Sequence, residues 1–305
     1  MPSSIGQKGQ KAGSGKGGRV GFRAALLLAP SALILIIFTL WPMVVAVYHS
    51  LFFSDNAHPV PVFAGLANFT ALGRDPVFAQ VMRNTVLFIL GTVPVSMLIA
   101  MVLAVALNRR YRLTPFFRLA LFHPVVLPMV SAASIWLFMY TPDYGIVDKV
   151  LALFGGPQIN WLGEPGTALP AIMLMTIWKQ VGYFMIFYLA GLQNIGQDPY
   201  EAAAVDGAGP VKAFRSITVP LLMPTSLFVF IIAMVDAFQM IDQLYVMTQG
   251  GPSNGTNMLL YYIYQQAFAF SNLGKASALS VILIVILLAV AVLQTLADKR
   301  VHYES

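Results

Sequence analysis

Six long apolar runs punctuate the chain, at roughly Ala24–His49, Thr85–Leu107, Leu119–Tyr140, Leu169–Leu189, Leu222–Met247 and Ala276–Ala297. A helix of about 20 residues crosses a hydrocarbon layer about 30 Å thick, so each run is long enough to span a bilayer. None shows the strict alternation of a barrel strand, and inside lipid only helices or closed barrels satisfy the backbone. The expected fold class is therefore an all-α membrane protein with six transmembrane helices. Pro30, Pro42, Pro94, Pro124 and Pro128 fall inside the first three runs. Each removes a backbone donor and marks a kink. The first run follows a basic segment but is too long for a signal-peptide core and lacks cleavage chemistry, so it is expected to stay as a helix.

Composition agrees with this pattern. Of 305 residues, 58% are apolar and only 10% charged, with a mean hydropathy of +0.75. Too few charges remain to cover a water-facing surface, which excludes an ordinary soluble globule and, despite the net charge of +6, a nucleic-acid binder. There is no cysteine, so disulfides, thiolate metal sites and cysteine nucleophiles are excluded.

Orientation follows from Lys and Arg, which resist translocation. Thirteen lie in the tail (Lys8, Lys11, Lys16, Arg19, Arg23), the second-to-third loop (Arg109, Arg110, Arg112, Arg118), the fourth-to-fifth loop (Lys212, Arg215) and the C-terminus (Lys299, Arg300). Four (Arg74, Arg83, Lys149, Lys275) lie on the other side, and Lys179 sits within a span. Both termini are expected in the cytoplasm, with residues 1–22 a disordered basic tail, 23–300 the transmembrane domain and 301–305 a short tail. Gly13–Gly18 falls short of a phosphate loop because Gln10 and Gly17 break the required pattern. Of the external loops, 58–61 is expected to be extended or turned, and Gly65–Phe69 to begin a short interfacial helix. Asp143, Asp148 and Glu164 read as solvated charges or caps, and His123 as a packing or hydrogen-bonding residue rather than a proton relay. No set of residues has catalytic or metal-ligand spacing.

The fourth-to-fifth loop, 198–220, reads as a helix–turn–helix. Asp198 suits a cap, Pro199 a first helical position and Glu201 the positive end of the helix. Gly207 or Gly209 ends the first helix, and Val211–Ile217 forms a second one that stops before Pro220. On physics alone it is either a packed connector or a docking surface. Its spacing, Glu201-Ala202-Ala203, Gly207, Ile217 and Pro220, resembles the EAA motif of ABC importer permeases, E-A-A-x(3)-G-x(9)-I-x-L-P, with Val219 in place of Leu. The run through Asp206, Gly207 and Ala208 is similar to the carbohydrate and glycerol-3-phosphate uptake branch. Phe238–Gly251, with Pro252 after it, also looks like that branch's fifth span and following loop.

The resemblance implies a type I importer permease fold in the bacterial plasma (inner) membrane. The partners implied are two ABC ATPase subunits, a second and different permease chain, and an extracytoplasmic solute-binding protein. This chain would bind no cofactor, with ATP and Mg used by the ATPase, and it would be no enzyme. Glu201 would be the charged contact with the ATPase, Gly207 the turn, Phe214 and Ile217 apolar contacts, and Asp206 a partner for a basic group or a cap. Within the spans, Asp236, Gln239, Asp242 and Gln243 share an arc of about 120° if the fifth helix is continuous. Trp178, Lys179, Gln180 and Tyr183 form a polar–aromatic cluster on the fourth. Intramembrane charges cost at least about 2.5 kcal/mol and so face protein or water. The cluster reads as a solute path, as an interhelical bolt in which Lys179 pairs with Asp236 or Asp242, or as a contact with the second permease chain. An ion-coupled secondary transporter is the alternative function, and it lacks the paired internal repeats common to that class.

Overall fold

A computed structural model of the chain describes residues 16–108 and 112–301, with side chains for 26–108 and 112–296. Arg109, Arg110, Lys8, Lys11 and residues 302–305 lie outside the described residues. Two units divide the chain at Tyr48/His49. The first is a helical run: α1 (Lys16–Leu35), a π turn over Ile36–Leu40, and the start of α2 (Trp41–Ser50). The wider turn closes with Trp41 N–H on the Ile36 carbonyl, just before Pro42, which has no N–H to give. Helix already begins at Lys16, inside the stretch expected to be a disordered tail.

The second unit opens with a hairpin, β1 (Phe52–Asp55) and β2 (His58–Phe63), paired antiparallel with Phe52 opposite Phe63. This hairpin is a departure from the all-α expectation, although the 58–61 stretch is extended as anticipated. The short helix expected from Gly65–Phe69 is α3 (Ala67–Leu72). Then come α4 (Pro76–Leu107), α5 (Thr114–Val126), α6 (Met129–Met139), α7 (Ile146–Leu153) and α8 (Pro165–Asn194). Next are α9 (Asp198–Val205), α10 (Pro210–Ala213), a π turn over Phe214–Thr218, α11 (Val219–Leu221), α12 (Met223–Phe238) and α13 (Asp242–Met247). The chain ends with α14 (Leu259–Tyr264), a π turn over Gln265–Ala269, and α15 (Leu273–Val301).

Among the described residues, five helical runs are long and apolar enough to cross a membrane: Leu26–Ser50, Pro76–Leu107, Pro165–Asn194, Met223–Met247 and Leu273–Leu296. The sixth expected span is not one straight helix. It is α5 and α6, bent by 100° where Leu127 and Pro128 take extended backbone. Other boundaries moved outward: α4 starts at Pro76 and α8 at Pro165, because a cap and a first-position proline extend each helix beyond its apolar stretch. The fifth span is interrupted at Gln239–Ile241, so it is not the continuous helix assumed above.

The core forms where α4, α8 and α12 pack. Phe88, Phe184, Tyr188, Met185 and Ile172 are fully buried there, and Ala100, Ala104 and Ala233 let backbones come close. Lipid offers no hydrophobic drive between helices, so small residues and tight van der Waals contact supply the adhesion. A second cluster holds Trp136, Tyr140 and Met175; Tyr140 Oη donates to the Ala171 carbonyl at 2.9 Å. Asp148, expected to be solvated, is buried and accepts from Trp161 Nε1 at 2.6 Å.

At the start of α4, Asp75 joins three helices. Its Oδ1 accepts from Val77 N–H at 2.9 Å, capping α4. Its Oδ2 accepts from Tyr262 Oη at 3.0 Å and from Lys275 Nζ at 2.7 Å, reaching α14 and α15. Nearby, Asn68 Nδ2 donates to the Ser50 and Phe52 carbonyls, and a Cβ at Gly274 would collide with the Phe52 carbonyl oxygen, so the hairpin rests against α15. Burial by itself would raise the Asp75 carboxyl, but the Lys275 ammonium, the Val77 amide and the Tyr262 hydroxyl together hold it below its ordinary value. A depressed folded-state value means the stabilisation is present above the ordinary carboxylate range and is lost as the pH falls through the depressed one. Asp75→Ala removes a helix cap and an ion pair together and should cost about 2 kcal/mol at neutral pH. Thermal unfolding of the purified protein should show wild type and variant converging on acidification; a constant gap contradicts the assignment.

Candidate functional site

Two polar places stand out on a largely apolar chain, and α8 connects them. The first is a cavity of about 390 Å³ among α5, α6, α8, α12 and α13. Its polar lining comes from Lys179, Gln180 and Tyr183 on α8, from Asp236 at the end of α12, and from Gln239, Asp242 and Gln243 across the interruption that follows. Val125, Met129, Met240 and Ile241 complete the wall. The four residues placed on one stripe by helical periodicity do converge, but around a broken helix rather than along a regular one. Trp178 does not join them. It lies edge-on to Trp136 with ring centroids 5.5 Å apart, away from the lining.

Lys179 does not pair with either carboxylate. Among the described residues, ion pairs are Asp55–His58 and Asp75–Lys275. Lys179 Nζ instead donates to the Pro124 carbonyl at 2.9 Å and the Leu127 carbonyl at 2.6 Å. The chemistry is local. Pro128 has no N–H to return to the Pro124 carbonyl four residues back, which keeps one long main-chain bond, from Leu127 N–H at 3.3 Å, and the chain turns away at Leu127, so the end of α5 is short of donors. A cation at the negative end of a helix meets that need. Gly182, on the same face of α8 and three residues on, lets the helix approach: a Cβ there would drive into the Leu121 carbonyl oxygen of α5. His123 is exposed, so it is not a packing residue within this chain.

The cavity holds donors and acceptors without partners. Gln243 is 1% exposed and its Nε2 has no hydrogen-bond partner, a costly arrangement unless something polar enters. Among the described residues no three His, Asp or Glu side chains gather as metal ligands.

The second place is the loop after α8. Helix α9 begins at Asp198, with Gln197 rather than Asp198 in the cap position and no side-chain cap bond. It ends in a Schellman closure: Gly207 takes φ +72°, Gly207 N–H bonds the Ala204 carbonyl at 3.1 Å and Ala208 N–H the Ala203 carbonyl at 2.9 Å. Gly207 is thus the turn residue, as expected, and Gly209 is extended. The second helix does not stop before Pro220. It widens into the π turn at Phe214–Thr218 and continues through Pro220 as α11.

No residue of α9 is buried. Glu201, Ala202, Val205 and Asp206 are exposed, Val205 by 88%, and Val211 follows at 67%. Ala203, Ala208, Phe214 and Ile217 are half-buried, so the latter two seat the loop as well as border its open face; Pro220 is exposed. Asp206 neither pairs with a base nor caps α10. Tyr200 Oη and Thr218 Oγ1, 3.1 Å apart, tie the two arms together over a second cavity of about 1070 Å³. Arg118 borders that cavity and donates through Nη2 to the Leu107 carbonyl at 2.7 Å, closing the end of α4.

Residues 62–303 match the family described as binding-protein-dependent transport system inner membrane component. Over 261 residues the chain is 39% identical to the sulfoquinovosyl glycerol transport system permease protein SmoG of Agrobacterium fabrum, covering 85% of each chain. It is 37% identical over 281 residues to the sn-glycerol-3-phosphate transport system permease protein UgpA of Brucella suis, covering 91% of this chain and 95% of that one. A bacterial ABC transporter involved in import of the acidic polysaccharide alginate has a chain of the same fold, with TM-score 0.79 at 22% identity over 93% of this chain and 96% of that one.

The α5–α8 contact yields a direct test. Gly182→Ala forces the two backbones apart and should cost at least about 2 kcal/mol, whereas Lys179→Met, which removes two hydrogen bonds from the end of α5, should cost about 1–3 kcal/mol. Thermal unfolding of the purified protein measures both; a Gly182→Ala midpoint equal to wild type refutes the close approach.

Proposed function

The chain belongs to the family of binding-protein-dependent transport system inner membrane components, as a multi-pass permease subunit of an ABC importer, and from that premise we propose how its two polar places divide the work. It is a transport component and not an enzyme. The cavity between α8 and the α12–α13 break is this chain's share of the solute path, for a sugar or sugar-like solute. Residues 198–220 are its joint with an ATPase subunit.

The observation that carries this reading is α9. A glycine-terminated helix of eight residues with none buried offers an open face: among the described residues, Glu201, Ala202, Ala204 and Val205 are exposed, while Tyr200 ties the helix to Thr218. It bears Glu201, Ala202 and Ala203 at the spacing of the coupling motif. Small Ala side chains let another protein's groove approach closely, and Glu201 supplies a charge at the first turn. Helix α8 ends at Asn194, directly before this loop, and carries Lys179 and Tyr183 in its middle, so displacement of the loop is transmitted to the cavity wall.

Orientation follows from the charge asymmetry: α9 and both termini face the cytoplasm of a bacterial inner membrane, with the hairpin and the Asp75 junction outside. Residues 23–300 make up the membrane domain. The working assembly contains two ATPase subunits, which bind ATP and Mg, a second permease chain of different sequence and an external solute-binding protein. The solutes in the relatives' names, a glycerol phosphate and a sulfonated glycoside, support a small polyhydroxylated cargo.

Glu201→Lys should leave the assembly inserted yet lower solute uptake by at least about tenfold, while ATP hydrolysis no longer responds to the loaded binding protein. Uptake and ATPase measurements on the same proteoliposomes decide the matter, and normal uptake by the variant refutes the coupling role.

A further inference from the structure

Lys179 is the single cationic side chain lining the 390 Å³ cavity, and its position suggests a receptor for an anionic solute. Its hydrogen bonds say otherwise. Two of its three donors are held by the Pro124 and Leu127 carbonyls, at 2.9 and 2.6 Å, and those carbonyls form the negative end of α5. The positive charge is already answered by the dipoles it closes. What remains facing the cavity is Asp236, Asp242, Gln239, Gln243 and Tyr183. The two aspartates bring carboxylates to the wall and no cation. The free chemistry of the wall is hydroxyl and amide hydrogen bonding, with the buried, unpartnered Gln243 Nε2 as a ready donor to a solute oxygen.

We infer that this cavity selects an uncharged polyhydroxylated solute against an anionic one, with Asp236 and Asp242 as the discriminating residues and Lys179 as a positioning residue for the α5–α6 bend. The inference rests on the cavity being part of the solute path. It separates this chain from the relatives whose names carry a phosphate or a sulfonate. Two carboxylates repel an anion through a medium poorer in screening than water, whereas a sugar hydroxyl donates to Asp and accepts from Gln at no such cost.

A matched pair of probes isolates the charge: sulfoquinovosyl glycerol, and glucosylglycerol, which has a hydroxyl in place of the sulfonate. Saturation-transfer NMR on the complete importer in nanodiscs, with no binding protein added, reads weak binding of each. The wild-type complex should bind the uncharged probe at least about tenfold more tightly. The double variant Asp236→Asn, Asp242→Asn should bring the two probes within about threefold by strengthening the sulfonate. Gln243→Leu should weaken the uncharged probe several-fold in a complex that still elutes at its native size. Equal or tighter binding of the sulfonate by wild type overturns the inference, as does a preference that the double variant leaves unchanged. If neither probe binds, or if binding ignores Gln243→Leu, the path reading itself fails and the inference falls with it.

Discussion

A single ammonium set against the open end of a helix shapes the membrane part of this chain. Where α5 stops, Pro128 has no N–H for the Pro124 carbonyl, which keeps only a long bond from Leu127 N–H at 3.3 Å, and the chain swings by 100° into α6. In lipid an unanswered carbonyl is expensive because no water can take its place. Lys179 supplies two donors from α8, and Gly182 brings the helices close enough for them to reach. The bend, the wall of the cavity and the seating of α8 against α5 all follow from that arrangement. It also explains how a lysine survives within an apolar span without a carboxylate partner: hydrogen bonds to helix-end carbonyls offset part of its desolvation.

The same helix gives the molecule its length scale. Lys179 and Asn194 lie on one unbroken helix, separated by about 22 Å at 1.5 Å per residue. Beyond Asn194 the chain needs only a short link to reach α9, whose exposed face is ready for a partner. At the other end, Asp75 gathers α4, α14 and α15 with one carboxylate. The polar residues of this apolar chain thus serve three functions: answering backbone groups, joining helix ends, and lining a cavity.

Much of this was legible in the sequence, for reasons that differ from element to element. Apolar run length locates the spans because lipid imposes it. The EAA spacing locates the exposed loop because a capped helix, a left-handed glycine and a second helix are all encoded locally, although the π turn that carries the chain past Pro220 is not. Periodicity brought Asp236, Gln239, Asp242 and Gln243 together on the premise of a continuous helix; they converge even though the helix breaks at Gln239. Trp178 was misplaced because it points about 100° from Lys179 on the helix and packs on Trp136, whereas Lys179, Gln180 and Tyr183 line the cavity. The partners of Lys179 were hidden from any charge count, since carbonyls carry no formal charge. Asp148 was misread for a related reason: its partner is an indole N–H thirteen residues away. Neither the hairpin nor the early start of α4 had a hydropathy signal strong enough to reveal it.

In the proposed assembly α9 is the surface that meets an ATPase on the cytoplasmic side. The chain has no cysteine, so one thiol can be placed at will. Val205→Cys, at an exposed position of α9, should cross-link to the ATPase subunit of the purified assembly, with the yield changing between nucleotide-free and ATP-bound states. In intact cells it should resist a membrane-impermeant maleimide. Ready labelling from outside, together with no cross-link to the ATPase, would contradict both the orientation and the joint.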